Sequence, residues 1–243
     1  MRYAIIGDIH ANLAAFTAIL EDIERQGGVK KIWCLGDIVG YGPDPHQCIE
    51  LLRQNKHTCV AGNHDWAAIG KVDPVNMNPD AVIACRWTAE QLNQEDKDYL
   101  AALPLTVDEG EFTLVHGSPR DPLWEELIST GLADVNFGYF ETQFCLVGHS
   151  HLPLVFINDK GTCSSSPFLV NVRLAMGKNR LIINPGAVGQ PRDNDPQASY
   201  AMYDSKTKHV KLYRLPYDSG STQDRMVEQG LPMRLVARLG YGV

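Results

Sequence analysis

The apolar and polar positions of the chain open on a strand–helix–strand pattern. Residues Tyr3 to Ile6 form an apolar run closed by Gly7, which predicts a first strand. Asn12 can cap a helix whose apolar positions Leu13, Phe16, Leu20 and Ile23 recur at helical spacing, and Gly27-Gly28 ends it. A second apolar run, Ile32 to Leu35, leads into Gly36. Asp44-Pro45 then opens a helix through Ile49, Leu51 and Leu52, with the proline at a favourable first position, and Thr58 to Ala61 predicts a third strand. Strands alternating with helices in this way make βαβ units, which point to an α/β fold.

After residue 65 the pattern becomes helical. Asn78-Pro79 starts a helix through Val82, Ile83 and Trp87, and a short one follows over Glu95 to Leu100, so residues 65–103 read as a helical cover over the core or a substrate cleft. Leu105 to Val107 and Phe112 to Val115 flank Glu109-Gly110 as a hairpin, and Phe144 to Val147 predicts a further strand. Beyond it come strands without clear helices, at Leu154–Ile157, Leu169–Leu174, Leu181–Ile183, Ala198–Tyr203 and Val210–Leu215. They predict a second, largely antiparallel sheet within one domain spanning 1–243, with a last helix in the tail from about Thr222.

Composition removes several function classes. With 44% hydrophobic and 21% charged residues and no low-complexity tract, the chain has the make-up of an ordered globular protein. A net charge of −7 argues against stable nucleic-acid or anionic-membrane binding, which draws on Lys and Arg. An anionic small substrate stays open, because bound divalent ions would make a pocket locally positive. No apolar run approaches the roughly 18 residues of a membrane span, and Tyr3 to Ile6 is too short for a signal segment. Six cysteines without a C-x-x-C pair read as buried free thiols, so a cytoplasmic location is expected.

The candidate chemistry stands at strand ends. Three successive strands run into Gly7-Asp8, Gly36-Asp37 and Gly62-Asn63-His64-Asp65. Of eight histidines, His10, His64, His116, His149 and His151 follow strand-like runs at glycine-rich turns, whereas His46, His57 and His209 do not and read as structural or surface residues. Carboxylate, imidazole and amide oxygen suit manganese, iron or zinc, and a thiolate cluster is lacking. Asp8, Asp37, Asn63 and the five histidines exceed what one ion needs, so two ions are inferred.

In order, the blocks Gly7-Asp8-Ile9-His10, Gly36-Asp37, Gly62-Asn63-His64-Asp65, His116-Gly117 and Gly148-His149-Ser150-His151 resemble the calcineurin-like metallophosphoesterase superfamily over residues 5 to 151. The resemblance implies two facing mixed β-sheets flanked by helices, a four-layer αββα sandwich. It implies that Asp8, His10 and His151 bind one divalent ion, that Asn63, His116 and His149 bind a second, and that Asp37 bridges both. Manganese is favoured, with iron, zinc and nickel as alternatives. His64 would stand outside the metals as proton donor to the leaving group, with Asp65 holding its ring. Such chemistry is coherent: two ions about 3.5 to 4 Å apart share a hydroxide that attacks phosphorus, and an imidazole whose pKa lies near ambient pH can protonate a leaving alkoxide.

Finer motifs bear on the substrate. Protein Ser/Thr phosphatases are similar to G-D-x-V-D-R-G where this chain reads Gly36-Asp37-Ile38-Val39-Gly40-Tyr41-Gly42, so Tyr41 replaces their phosphate-gripping arginine. The runs Tyr41-Gly42-Pro43-Asp44-Pro45, His116 to Pro122 and Asn184 to Arg192 look like a compact bacterial branch of phosphodiesterases, some similar to diadenosine tetraphosphate hydrolases. Arg120 and Arg192 are candidates to replace the missing arginine, because a guanidinium fork matches phosphate geometry. Tyr41 and Trp66 are candidate leaving-group contacts, the other tryptophans read as core, and Asn184-Pro185-Gly186 is expected to brace the metal loops. The expected enzyme is a dimetal phosphoesterase acting on phosphodiester or nucleotide anhydride bonds of a small substrate, a nucleotide or dinucleotide included. The alternatives are a phosphomonoesterase or protein phosphatase and a non-catalytic metal-binding scaffold.

Overall fold

The computed structural model describes residues 1–243, the side chain of Asn76 apart. In β1 (Arg2–Ile6) the buried Ala4 and Ile6 belong to one hydrophobic core and Ile5 to another, so this strand is covered on both faces. The helix α1 (Leu13–Arg25) returns the chain over one face, capped by Asn12, whose Oδ1 accepts the Ala15 N–H at 3.1 Å. β2 (Lys31–Cys34) pairs parallel to β1, and after α2 (Pro45–Arg53) β3 (His57–Cys59) pairs parallel to β2. Its ladder stops earlier than the apolar run suggests, because the Ala61 N–H leaves β2 and bonds the Pro104 carbonyl at 2.8 Å.

Three helices follow, α3 (Asn63–Ala68), α4 (Pro79–Gln91) and α5 (Gln94–Ala102). The chain then makes the hairpin β4 (Thr106–Glu109) and β5 (Phe112–Val115), the short α6 (Thr130–Asn136), and β6 (Phe144–Leu146). The later strands are β7 (Pro153–Asp159), β8 (Thr162–Pro167), β9 (Arg173–Ala175), β10 (Arg180–Pro185), β11 (Ala198–Asp204) and β12 (His209–Leu215). The tail holds two helices, α7 (Ser219–Glu228) and α8 (Met233–Tyr241), where the sequence pattern suggested one.

The strands form two mixed six-stranded sheets, in the orders β3-β2-β1-β11-β12-β9 and β4-β5-β6-β10-β7-β8. The later strands therefore do not make an antiparallel sheet of their own. β11, β12 and β9 extend the first sheet from β1, and β10, β7 and β8 extend the second from β6. Two strand assignments change. β8 was not anticipated, because its run Thr-Cys-Ser-Ser-Ser-Pro lies on an exposed edge and shows no apolar alternation. Conversely, of Leu169–Leu174 only the end joins β9, with Val170 making a single bridge to Leu212.

Period-2 alternation separates the cores. Ile5, Trp33, Phe112, Leu114, Phe144, Leu146 and Ala201 pack between the sheets. Ala4, Ile6, Ile32 and Tyr200 pack under α1 and α2 on the outer face of the first sheet, and Cys145, Phe156 and Ile182 pack under α6 on the outer face of the second. A fourth, smaller core joins Ala81 and Ala84 of α4 to Met226 of α7, Leu235 and Leu239 of α8, and Tyr41. All six cysteines are free thiols, and no helix among the described residues is long and apolar enough to cross a membrane.

Candidate metal centre

The C-terminal ends of β1, β2, β3, β5 and β6 deliver Asp8 and His10, Asp37, Asn63 and His64, His116, and His149 and His151 to one crevice between the sheets. Sharp turns there force left-handed backbone on residues that ordinarily avoid it. Asp8 (φ 54°), His10 (50°), Ala11 (50°), Asp37 (52°), Tyr41 (60°), His149 (65°) and His151 (60°) all adopt it. Glycine is needed where side chains converge: a Cβ on Gly62 would fall 2.0 Å from Asp37 Oδ1, and one on Gly40 would fall 2.5 Å from His64 Nδ1. The Asn184 amide braces the His149 loop, donating to the Gly148 carbonyl at 2.7 Å and to Ser150 Oγ at 3.0 Å.

Asp65 holds backbone rather than the His64 ring. Its carboxylate accepts the N–H groups of Asp37 (2.9 Å), Ile38 (2.9 Å), Val39 (3.2 Å) and Gly62 (3.0 Å). This corrects the expected contact. As the third residue of α3, Asp65 points back to its own N-cap, and the β2 loop supplies three further donors. His64 Nδ1 is buried with no hydrogen-bond partner among the described residues.

The hydrogen bonds of the other histidines identify their free lone pairs. His10 Nδ1 faces the Val39 carbonyl at 3.2 Å and His151 Nδ1 that of Gln190 at 2.5 Å, which fixes both as N–H donors. Their Nε2 atoms then face each other as acceptors at 3.1 Å, with Asp8 Oδ1 3.3 Å from His151 Nε2. The second set repeats the arrangement. His116 Nδ1 meets the Leu35 carbonyl at 2.8 Å and His149 Nε2 that of Trp124 at 3.2 Å, leaving His116 Nε2 and His149 Nδ1 3.1 Å apart. Asn63 Oδ1 lies 3.0 Å from His116 Nε2. Asp37 stands between the sets: Oδ2 is 3.7 Å from His10 Nε2 and 3.4 Å from His116 Nε2, while Oδ1 accepts the His64 N–H at 2.9 Å.

Acceptors turned on one another in a buried site call for a cation, and the donor set fits divalent transition ions. The spatial groupings Asp8, His10, His151 and Asp37, His116, His149 match this reading, and a third brings His64 near His10 and Asp37. His64 differs from the rest in having no carbonyl to orient its ring. Electrostatics agrees. Burial alone would raise Asp8 and Asp37, but the imidazoles around them outweigh it and hold both carboxyls below their usual range. Burial opposes charge on His116 too, yet Asp37 and Asp8 push it up to about 9, so at neutral pH its Nε2 carries a proton that a bound metal ion would displace. Burial and the His116 charge press His149 down to about 3, and burial brings His64 down to about 4, away from the near-neutral value expected of it.

A cleft of about 290 Å³ opens beside these candidate ligands. Tyr41 and Arg192 line it as expected, with Arg192 Nη2 3.4 Å from the Tyr41 hydroxyl. Trp66 and Arg120 do not. The Trp66 ring packs on the core beneath Lys71 Nζ at 3.7 Å, and Arg120 pairs with Glu125 at the surface. Trp124 and Glu126, just after the His116 block, and Asn78 and Arg238 line the cleft instead. Trp124 had a signal in its nearness to that block; Arg238 had none, since only the tertiary fold brings α8 there.

A sequence profile of the calcineurin-like phosphoesterase superfamily domain matches residues 1–208. The chain belongs to this superfamily. This phosphoesterase is 38% identical over 250 residues to an uncharacterised protein of Methanocaldococcus jannaschii, covering 98% of this chain and 97% of that one. It is similar in structure to a metallophosphoesterase from Sphaerobacter thermophilus, with a TM-score of 0.91 and 46% identity over 100% of this chain and 99% of that one. It is also 28% identical over 147 residues to a symmetrical bis(5'-nucleosyl)-tetraphosphatase of Neisseria meningitidis, covering 55% of this chain and 49% of the relative. This phosphoesterase thus spans about half the length of that tetraphosphatase.

Proposed function

We propose that this phosphoesterase hydrolyses phosphodiester or phosphoanhydride bonds in small nucleotide-like substrates. Asp8, His10 and His151 would hold one divalent ion, Asn63, His116 and His149 a second, and Asp37 both; manganese is the first choice, before iron, zinc or nickel. Two ions so bound supply Lewis acidity and a water deprotonated at neutral pH. The observation that carries the reading is the Asp37 carboxylate, which has Oδ2 within reach of both imidazole pairs.

The chain's own groups do the rest. Arg192 and Tyr41 line the cleft beside the cluster, where a guanidinium can grip phosphoryl oxygens. His64 has Nδ1 buried against Gly40, so Nε2 is the nitrogen that serves the cleft and passes a proton to the leaving oxygen. Burial leaves the ring neutral at pH 7, and an anionic phosphoryl group beside it raises its proton affinity. The name of the Neisseria relative favours a dinucleotide among the substrates.

The test is the initial rate of metal-stripped, manganese-reloaded protein on equal concentrations of bis(p-nitrophenyl) phosphate, p-nitrophenyl phosphate and diadenosine tetraphosphate, with the products identified. The diester or the dinucleotide is expected to exceed the monoester by over tenfold, about 1.4 kcal/mol of transition-state preference. A faster monoester would transfer the reading to a phosphomonoesterase. Inertness toward all three would leave a metal-binding scaffold.

A further inference from the structure

Arg238 reaches the cleft from α8, outside the residues matched by the family profile, and lines it together with Arg192. No Asp or Glu carboxylate pairs with the Arg238 guanidinium within 4 Å among the described residues. Its Nε donates to the main-chain oxygen of Val243, the last residue of the sequence, which leaves the two terminal nitrogens of the fork for the cleft. Arg192 is scarcely better matched. Its nearest carboxylate, Glu126 Oε1, is 3.9 Å from Nη1, and its Nε is buried with no partner among the described residues. Two half-buried guanidiniums on one wall repel: burial and the Arg192 charge pull Arg238 below the usual arginine range.

α8 is held firmly. Leu235 and Leu239, on either side of Arg238 in the helix, are buried against Met226 and Tyr41, and the partner helix α7 is pinned by Thr222 Oγ1 donating to Asn12 Oδ1 at 3.1 Å. A fixed pair of like charges facing a cleft is a cost that an anion offsets. The ligand cluster already accounts for one phosphoryl group. The cleft, near the low end of the roughly 300–1,000 Å³ of ligand pockets, leaves room beside it for a second.

We propose that Arg238 and Arg192 form an anion subsite for the phosphate adjacent to the one attacked, so that this chain selects substrates with two consecutive phosphates joined by an anhydride. The proposal rests on the phosphoesterase reading above and names its substrate class. Arg238 acts in specificity: in hydrolysis, water adds to one phosphorus, the P–O bond to the neighbouring phosphate breaks, and that phosphate leaves with the charge Arg238 faces.

Two measurements test it, one independent of turnover. Calorimetry on manganese-loaded protein would compare α,β-methylene-ADP, an uncleavable two-phosphate probe, with AMP. Wild type is expected to bind the former at least tenfold tighter, and Arg238→Gln to lose most of that preference, with Arg238→Lys restoring part. In kinetics, Arg238→Gln should lower kcat/KM for diadenosine tetraphosphate about tenfold more than for bis(p-nitrophenyl) phosphate, chiefly through KM. Arg234→Gln, which removes the same charge from an exposed position of α8, should shift this ratio less than twofold. Equal binding of the two probes by wild type, or an unchanged preference in Arg238→Gln, would overturn the subsite. A protein that binds the probes as expected but cleaves no phosphoester would sink the catalytic reading and keep the subsite.

Discussion

His10 Nε2 and His151 Nε2 face each other at 3.1 Å, each ring tied through its other nitrogen to a main-chain carbonyl. Two acceptor lone pairs so close gain from a cation between them, so folding and metal binding are linked. Chelation should lower the melting temperature, and manganese should restore it, rising with the logarithm of its concentration once that exceeds the dissociation constant. At 100 times the dissociation constant, one site contributes about 2.7 kcal/mol, or roughly 5–10 °C for a chain of this size. Scanning calorimetry with and without chelator checks this; an unchanged melting temperature would refute the linkage.

Asp37 and His64 should separate metal binding from proton transfer. Asp37→Ala removes the oxygen that reaches both histidine pairs, so elemental analysis should find fewer than two ions per chain. His64→Ala should keep both ions and lose turnover by about 10²–10⁴-fold, the usual contribution of a positioned acid or base. Loss of an ion in His64→Ala would instead make His64 a ligand.

Gly40 offers a second route to His64. It has φ +90°, and a Cβ there would press on Nδ1 at 2.5 Å. Gly40→Ala should therefore behave like a mild His64 variant, with metal content near wild type and lower kcat. A wild-type kcat would show that the ring has room to shift without loss.

The two arginines considered from sequence should now part company. Arg192→Gln takes a charged donor from the cleft wall and should reduce kcat/KM by about 10–100-fold, the worth of a charge-assisted hydrogen bond of about 1.5–3 kcal/mol. Arg120→Gln breaks a surface pair with Glu125 and should stay within about twofold. Kinetics on one diester distinguishes them, and equal losses would restore Arg120 to the site.

Lys31 on β2 meets Glu109 on β4, a contact of 2.5 Å that clips the two sheets together. Burial would raise the Glu109 carboxyl, but the hydrogen bonds from Lys31 and Thr58 outweigh it and hold it below its ordinary 4.5. A carboxyl whose pKa is depressed by folding contributes its stability above the unfolded value and loses it as pH falls through the folded one. Lys31→Met should thus cost up to about 1 kcal/mol at pH 7, a penalty that shrinks below pH 4.5. Denaturant melts at pH 7 and pH 3 would show it; a penalty independent of pH would assign the loss to packing.

The candidate ligands were legible because each strand end announces itself locally, an apolar run breaking at a glycine just before Asp8, Asp37, Asn63 or His149 and just after His116. Asp65 was misread because nothing in its neighbourhood reveals that the β2 loop, 28 residues earlier, turns its N–H groups toward it. β8 hid because an exposed edge needs no apolar face, and its one sequence signal was the Lys160-Gly161 turn, both residues at positive φ. Arg238 was invisible for the same reason as the sheet order: both depend on where distant segments dock, which spacing along the chain does not encode.

β1 leads into Asp8 and His10, the first candidate ligands, yet its antiparallel neighbour is β11, with Arg2 opposite Asp204. During synthesis at roughly 5–20 residues per second, about 10–40 s separate Asp8 from Asp204. Throughout that interval one edge of β1 has no native partner, and the Val188 and Gly189 N–H groups, which donate to the Gly7 and Asp8 carbonyls, are made only near its end. The loop that starts the site is among the last to be secured, so a nascent chain cannot assemble the Asp8, His10 and His151 cluster in native fashion until most of its length has emerged.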